Sequence, residues 1–294
     1  MSDDTAERRD ATDRVASPGL TPGGAGLSHA RASDGAARLE RVFRRAGRPL
    51  FIPYVMGGYP DVATSMRYAQ TLANYADIIE LGVPFSDPLA DGPTIQAAGQ
   101  RALEAGTTPS DVIEIAAGLQ GGPPVVLMTY LNAVLAQGVR VFLERAAAAG
   151  VAGVIIPDLP IDESDEVREQ ASRAGVALIP LAAPTSSDER LAAIGRKAQG
   201  FVYCVAVTGV TGGEVVIDDA LTGFLGRARR AIDVPLAVGF GVRTPAQAAA
   251  IGALSDGVII ASQLIRMIET AASAGAAEAV LQEFAAEVRT ALLA

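Results

Sequence analysis

Leu50-Phe51-Ile52-Pro53-Tyr54-Val55-Met56 is a continuous apolar run, and a helix-like stretch from Val62 to Ala73 follows it. The run lacks polar alternation, as expected of a strand buried on both faces. In the stretch behind it, Val62, Met66, Ala69, Leu72 and Ala73 recur at helical spacing and give one apolar face. The pair is the first copy of a unit that repeats along the chain. Further apolar runs lie at Asp77 to Leu81, Val125 to Met128, Val151 to Ile156, Val176 to Leu181, Phe201 to Val205, Val234 to Val238 and Gly257 to Ile260.

The stretches between the runs carry helix chemistry. Thr244-Pro245-Ala246-Gln247 reads as a capping box with Pro at the first helical position, Thr108-Pro109 opens a helix the same way, and Ser186 to Glu189 reads as another box. Strands that alternate with helices predict an α/β fold with a parallel sheet, and eight of them close a (β/α)8 TIM barrel. An open doubly wound sheet is the alternative, but no glycine-rich turn follows the first strand. The long gap between the second and third strands leaves room for an extra helix, Ser110 to Leu119, after one from Thr94 to Ala105. Ala276 to Leu293 has a helical period and covers the outside.

The chain has 294 residues, ample for one such barrel. Residues 1–35 are rich in small and polar types and have few large apolar ones. Such a segment cannot offset its ordering entropy and reads as a disordered tail, leaving 36–294 as a single barrel domain. The formal net charge of −9 argues against nucleic acid and anionic membrane surfaces as partners. No apolar run approaches the length of a membrane helix. The opening MSDDTAERRD lacks the apolar core of a secretory signal, and the one cysteine, Cys204, rules out an intrachain disulfide. A cytoplasmic enzyme is expected.

In this fold the active site lies where the strands end. The run Asp77-Ile78-Ile79-Glu80-Leu81 ends on an acid, which is expensive in an apolar strand. Glu80 pointing into the barrel mouth would have a raised pKa suited to proton transfer. A salt-bridged structural acid fits the same letters equally well. Asp87 and Asp91 lie in the Pro- and Gly-rich loop beyond it, where a turn-making role is the plain reading. Strand seven ends in Gly239-Phe240-Gly241 and strand eight runs through Ala261-Ser262 into a helix start. Backbone N–H groups there, with the positive end of the helix, favour an anion, and phosphate sites recur at these strands. The plain reading is that the glycines make tight turns; their place at both strands favours phosphate.

Two scarcities narrow the chemistry. The only histidine is His29, in the tail, so no histidine base and no histidine metal site is expected. The only lysine is Lys197, before the sixth strand and on the wrong side of the barrel for a Schiff base, which removes covalent pyridoxal phosphate as well. Carboxylates and tyrosine hydroxyls remain.

The stretch Glu80-Leu81-Gly82-Val83-Pro84-Phe85-Ser86-Asp87-Pro88-Leu89-Ala90-Asp91-Gly92-Pro93-Thr94-Ile95-Gln96 closely resembles, without a gap, the signature of the tryptophan synthase alpha subunit family. Pro53 with Gly57-Gly58-Tyr59-Pro60, Leu127 to Asn132, Pro157-Asp158-Leu159-Pro160, Gly209 to Gly212, Gly239-Phe240-Gly241 and Ala261-Ser262 agree in order and spacing. The resemblance covers about residues 37 to 270 and leaves out the tail.

That resemblance implies a carbon–carbon lyase of tryptophan biosynthesis. It would cleave indole-3-glycerol phosphate to indole and glyceraldehyde 3-phosphate by a retro-aldol step, within an alpha2-beta2 heterotetramer. The chain itself would need no cofactor and no metal; pyridoxal phosphate would belong to the beta partner. Among the residues that match, Glu80 is implied as the proton-transfer group, Asp91 as the acceptor of the indole N–H, and Tyr203 as a tyrosine close to Glu80. The phosphate would lie on Gly212 or Gly213, Gly241, Ala261 and Ser262. Tyr54 and Met128 would line the indole pocket, and Thr211 would meet Asp91 on closure of the loop after strand six. Three departures stand out. Ala261 replaces a usual glycine, Tyr54 a common phenylalanine, and Glu214 follows Gly213 where an arginine is frequent. A free-standing lyase of the same fold, a non-catalytic activating subunit and a phosphosugar isomerase are the competing readings.

Overall fold

The computed structural model describes residues 35–205, 217–239 and 241–293. Expectations for the tail before Gly35, for Thr211, Gly212, Gly213 and Glu214, and for Phe240 fall outside them.

The sheet comprises β1 (Leu50–Met56), β2 (Ile79–Gly82), β3 (Val125–Met128), β4 (Val151–Ile155), β5 (Ala177–Ile179), β6 (Leu181–Ala182), β7 (Val202–Val205), β8 (Leu236–Gly239) and β9 (Gly257–Ile260). Their order is β5-β4-β3-β2-β1-β9-β8-β7-β6, and the described pairings are parallel. The sequence predicts eight strands, and the ninth arises at Pro180. That residue has no N–H to give the ladder, so one physical strand is split in two. Its first half pairs with β4, Gly153 opposite Ala177, and its second with β7, Leu181 opposite Tyr203. The split strand thus joins the two edges of the sheet and makes the (β/α)8 barrel.

Strand alternation sorts the side chains into two layers. Phe51, Ile79, Leu127, Cys204 and Val238 pack outward against the helices. Leu50, Ile52, Ile78, Val126, Phe201 and Ile259 fill the barrel. Glu80 is two residues beyond Ile78 on β2, so it belongs to the inward set, one layer nearer the strand ends.

The helices are α1 (Gly35–Ala46), α2 (Val62–Ala73), α3 (Pro93–Glu104), α4 (Pro109–Ala117), α5 (Leu131–Gln137), α6 (Val139–Ala148), α7 (Asp165–Ala174), α8 (Asp188–Lys197), α9 (Asp219–Ala231), α10 (Pro245–Gly252), α11 (Ser262–Thr270) and α12 (Ala274–Ala291). The extra helix between the second and third strands is α4, opened by a capping box at Thr108, and Thr244 closes a second box with Gln247. The third expected box does not form, since the cap lies at Ser187 and Arg190 stands where the acid or amide would close it. Ser187 caps α8 by accepting from Arg190 N, while Ser186 Oγ accepts from Ala183 N at 3.1 Å. In α2 the buried face is centred on Ser65, Tyr68, Ala69 and Leu72; Val62, Met66 and Ala73 flank it.

Two short helices were not expected, α1 and α5. Gly35, placed in the tail by composition, begins α1, and its N–H donates to Gly175 O at 2.8 Å. α1 is a plug: Leu39 is fully buried and packs with Val42, Phe43 and Ala46 against the barrel's interior residues. Gly153 and Gly200 leave it room, since a Cβ at either would press on Leu39 Cδ1. Removing Leu39 to alanine would cost about 2–5 kcal/mol by the usual cavity penalty.

Candidate active site

Tyr54 and Glu80 face each other across β1 and β2, and Val126 on β3 continues the row. All three lie on the inward face, at the end of the barrel where the strands finish. Tyr203 on β7 reaches the same space from the opposite wall. Two glycines make that space available. A Cβ on Gly82 would run into the Tyr54 hydroxyl, and one on Gly239 into the Tyr203 ring. Each strand therefore ends flat under a tyrosine.

Glu80 is 1 % exposed, and neither of its carboxyl oxygens has a hydrogen-bond partner among the described residues. A salt-bridged structural acid would have its cation, and Glu80 has none among the described residues. Burial pushes its carboxyl up to about 8, and the Asp91 charge adds to the rise. Asp91 comes over the mouth from the loop after β2. Burial pushes it up to about 6, and a hydrogen bond from Tyr130 pulls it back. The two acids lie close enough for each to act on the tyrosines. Burial and then the Asp91 and Glu80 charges raise Tyr54, and burial and then Glu80 and Asp91 raise Tyr203.

Asp91 is held in place by residues to which the sequence attached no role. Tyr130, at the end of β3, also accepts the Ala90 N–H at 3.1 Å. Its ring stacks on Phe85 with centroids 5.0 Å apart. Gln96 Nε2 donates to Asp91 O at 2.8 Å, which ties the loop to the first turn of α3. Phe85 and Gln96 lie inside the quoted signature and Tyr130 directly follows a strand, so position was the only available signal.

One side of the mouth is apolar. Tyr54 packs with Met56, Ile95 and Ile265, and Met128 and Ala261 lie against that cluster. Next to it, β8 and β9 are neighbours, with Gly239 opposite Ile259. Gly241 has a φ of 77°, a left-handed conformation that disfavours any side chain. Ala261 is the N-cap of α11 and makes no side-chain cap, so the first N–H groups of that helix, Ser262 foremost, have no side chain of their own cap to satisfy them. Gly241, Ala261 and Ser262 thus converge on the ends of two adjacent strands.

Lys197 is elsewhere. Its Nζ donates to Ile161 O at 2.9 Å and pairs with Asp165 at 2.9 Å, both in the outer layer of the barrel. Among the described residues, no group of three or more His, Cys, Asp or Glu side chains is arranged to hold a metal ion.

The family model for the tryptophan synthase alpha chain matches residues 41–292. The protein belongs to that family. The tryptophan synthase alpha chain of Carboxydothermus hydrogenoformans is 46% identical over 239 residues, which cover 79% of this chain and 90% of that one. That of Synechocystis is 43% identical over 255 residues, 85% and 96% of the two chains. Among solved structures, a Mycobacterium tuberculosis tryptophan synthase chain superposes with a TM-score of 0.79 at 40% identity, covering 86% of this chain and 98% of that one. The alpha chain from Legionella pneumophila gives 0.80 at 30% identity, covering 88% and 97%. The chain is thus an alpha subunit of tryptophan biosynthesis on a TIM barrel.

Proposed function

We propose that this alpha chain is a carbon–carbon lyase that cleaves indole-3-glycerol phosphate to indole and glyceraldehyde 3-phosphate, with Glu80 as proton-transfer group and Asp91 as indole N–H acceptor. The observation that carries the assignment is the pair of acids in the mouth, raised unequally. At neutral pH a carboxyl near 8 holds its proton and one near 6 is mostly ionised. Environments that push two carboxyls apart divide acid from acceptor.

The step balances on these two groups. Protonated Glu80 gives its proton to ring carbon C3, which turns the indole into an indoleninium and an electron sink. The bond between C3 and the side chain then breaks, its electron pair returning to the ring. The side-chain hydroxyl becomes the aldehyde carbonyl and gives its proton to the Glu80 carboxylate, so the acid is regenerated. Asp91 carries a negative charge beside the ring nitrogen while positive charge develops there, and this favours the transition state over the ground state. Tyr203 stands within electrostatic reach of Glu80, while burial and then the Asp91 charge hold the proton on Glu80.

Tyr54 and Met128 bound the flat apolar slot for the ring. Gly241, Ala261 and Ser262 supply backbone donors for the phosphate, and Gly212 and Gly213 are the proposed donors from the loop after β7. Thr211 is proposed to meet Asp91 when that loop closes. Glu214 and Ala261 leave this chemistry untouched, since neither is a reacting group. No cofactor is assigned to the chain; pyridoxal phosphate is expected on the beta chain. Residues 36–294 would act as one catalytic domain, with 1–35 as a tail and the cytoplasm as its place. No described helix is long and apolar enough to cross a membrane.

The proposed partner is a beta chain in an alpha2-beta2 assembly. Leu89 is 94% exposed on the loop that carries Asp91, and Leu135 on α5 is also exposed. The Ala90–Tyr130 bond joins these two loops into one rim. Large apolar side chains standing out of a barrel rim fit an interface better than open water. The testing experiment is indole release from indole-3-glycerol phosphate, measured with and without a beta chain. Glu80→Gln should abolish release while inorganic phosphate still binds. Undiminished turnover in that variant would sink the assignment.

A further inference from the structure

A second cavity lies between α7 and α8, against the ends of β4 and the split strand at Pro180. Its volume is about 430 Å³, and Tyr54, Glu80, Asp91 and Tyr203 are not among its walls. Volumes of this order suit a small organic molecule. Its floor is apolar, built by Leu159 and Ile161 from the loop after β4, Leu178 and Leu181 on either side of Pro180, and Ile194 on α8. The split at Pro180 is one wall of the cavity.

Three cations line it, Arg168, Arg190 and Lys197. Their carboxylate partners stand outside the lining. Arg190 pairs with Asp162 at 2.9 Å, while Lys197 and Arg168 share Asp165 at 2.9 and 3.1 Å. In these pairs three cations share two carboxylates. Arg168 Nε is buried and has no hydrogen-bond partner among the described residues. A buried guanidinium N–H without an acceptor is costly, and a bound anion removes that cost. Ser186 spends its hydroxyl oxygen as an acceptor for Ala183 N, which leaves its O–H as a further donor, while Ser187 also bonds the Glu189 carboxylate.

We propose that this cavity is a binding site for a small monoanionic carboxylate with an apolar, ring-sized body, its carboxylate on Arg168 and its body on Ile161 and Ile194. The site is independent of the lyase reading, because none of the groups assigned to catalysis lines it. Its wall is nevertheless linked to the mouth. Asp158 in the same loop accepts the Leu131 N–H at 2.9 Å, next to Tyr130.

The sole lysine makes the test direct. The full chain is titrated with 2-naphthoate and, separately, with neutral 2-naphthamide. Isoleucine methyl NMR and the rate of Lys197 acetylation are followed. The carboxylate should shift the Ile161 and Ile194 methyls and slow acetylation severalfold, and the amide should do neither. Arg168→Gln should weaken naphthoate by about tenfold, the size expected for one charge-assisted hydrogen bond. Lys197→Gln gives the same comparison should the first variant fold poorly. Shifts confined to Ile95 and Ile265 at the mouth, equal binding of the amide, or unchanged affinity in both variants would each overturn the proposal. Loss of lyase activity in Glu80→Gln bears on none of these readouts, so the two ideas fail separately.

Discussion

Tyr130 holds Asp91. Its hydroxyl accepts the Ala90 N–H at 3.1 Å and hydrogen-bonds the Asp91 carboxyl, which it makes more acidic. One side chain at the end of β3 thus sets both the place and the charge of an acid that belongs to the loop after β2. Tyr130→Phe keeps the stacking on Phe85 and removes the bond. Asp91 should then titrate higher, and the acid limb of the pH profile of kcat/KM should move up. A fall in kcat/KM of about tenfold is expected from one lost hydrogen bond to a charged group. An unmoved acid limb would show that Tyr130 only packs.

The profile itself should be a bell. Activity needs Asp91 ionised and Glu80 protonated, so kcat/KM should rise through about 6 and fall through about 8. The two acids interact, so the limbs belong to the pair. Asp91→Asn removes the charge that helps raise Glu80. The residual activity of that variant should lose its acid limb and show an alkaline limb at lower pH. An alkaline limb that stays in place would show that Asp91 is electrically remote from Glu80.

Stability should carry the mark of Glu80 as well. A carboxyl that is raised in the folded chain keeps its proton there after the unfolded chain has released it. Folding therefore loses stability as pH rises from about 4.5, the ordinary value, to about 8, and the loss then levels off. Glu80→Gln is neutral throughout and escapes the loss. Relative to the wild type it should gain a few kcal/mol by pH 8.5, accumulating at about 1.4 kcal/mol for each pH unit crossed between those two values, and nothing below pH 4.5. Urea titrations of both proteins at several pH values measure this. A pH-independent difference would mean that Glu80 is not buried as a neutral acid.

Much of this was legible in the sequence, for reasons visible in single elements. β1, β3 and β9 have the bounds read from their apolar runs, because a strand buried on both faces leaves no polar residue inside it. Glu80 and the loop to Asp91 stood out because a charge in such a run is costly. α1 is not among the expected helices because it precedes the first strand and so lies outside the repeating strand–helix unit, although Leu39, Val42, Phe43 and Ala46 keep a helical spacing. Pro180 was readable as a proline in a strand, but its effect on pairing needs both neighbouring strands. The Tyr130–Asp91 bond and the cavity between α7 and α8 come from contacts between residues far apart in the chain, and no local pattern encodes them.

The other end of the barrel offers a contrasting test. Asp77, two residues before the strand β2 that carries Glu80, is 11% exposed and accepts from three groups. Arg48 holds both its oxygens at 2.7 and 3.0 Å, Phe51 N donates at 2.9 Å, and Arg289 on α12 adds a contact at 3.1 Å. The carboxylate thus fastens β1, β2 and the last helix. Asp77→Ala leaves a largely buried Arg48 without its counter-charge, a loss of about 3–5 kcal/mol. The site chemistry lies at the opposite end, so kcat/KM of the folded fraction should stay within about twofold of wild type, as expected where this face serves stability. A melting temperature lowered by several degrees with intact turnover is the expected result. A selective loss of turnover in a protein that melts normally would break the division between the two ends.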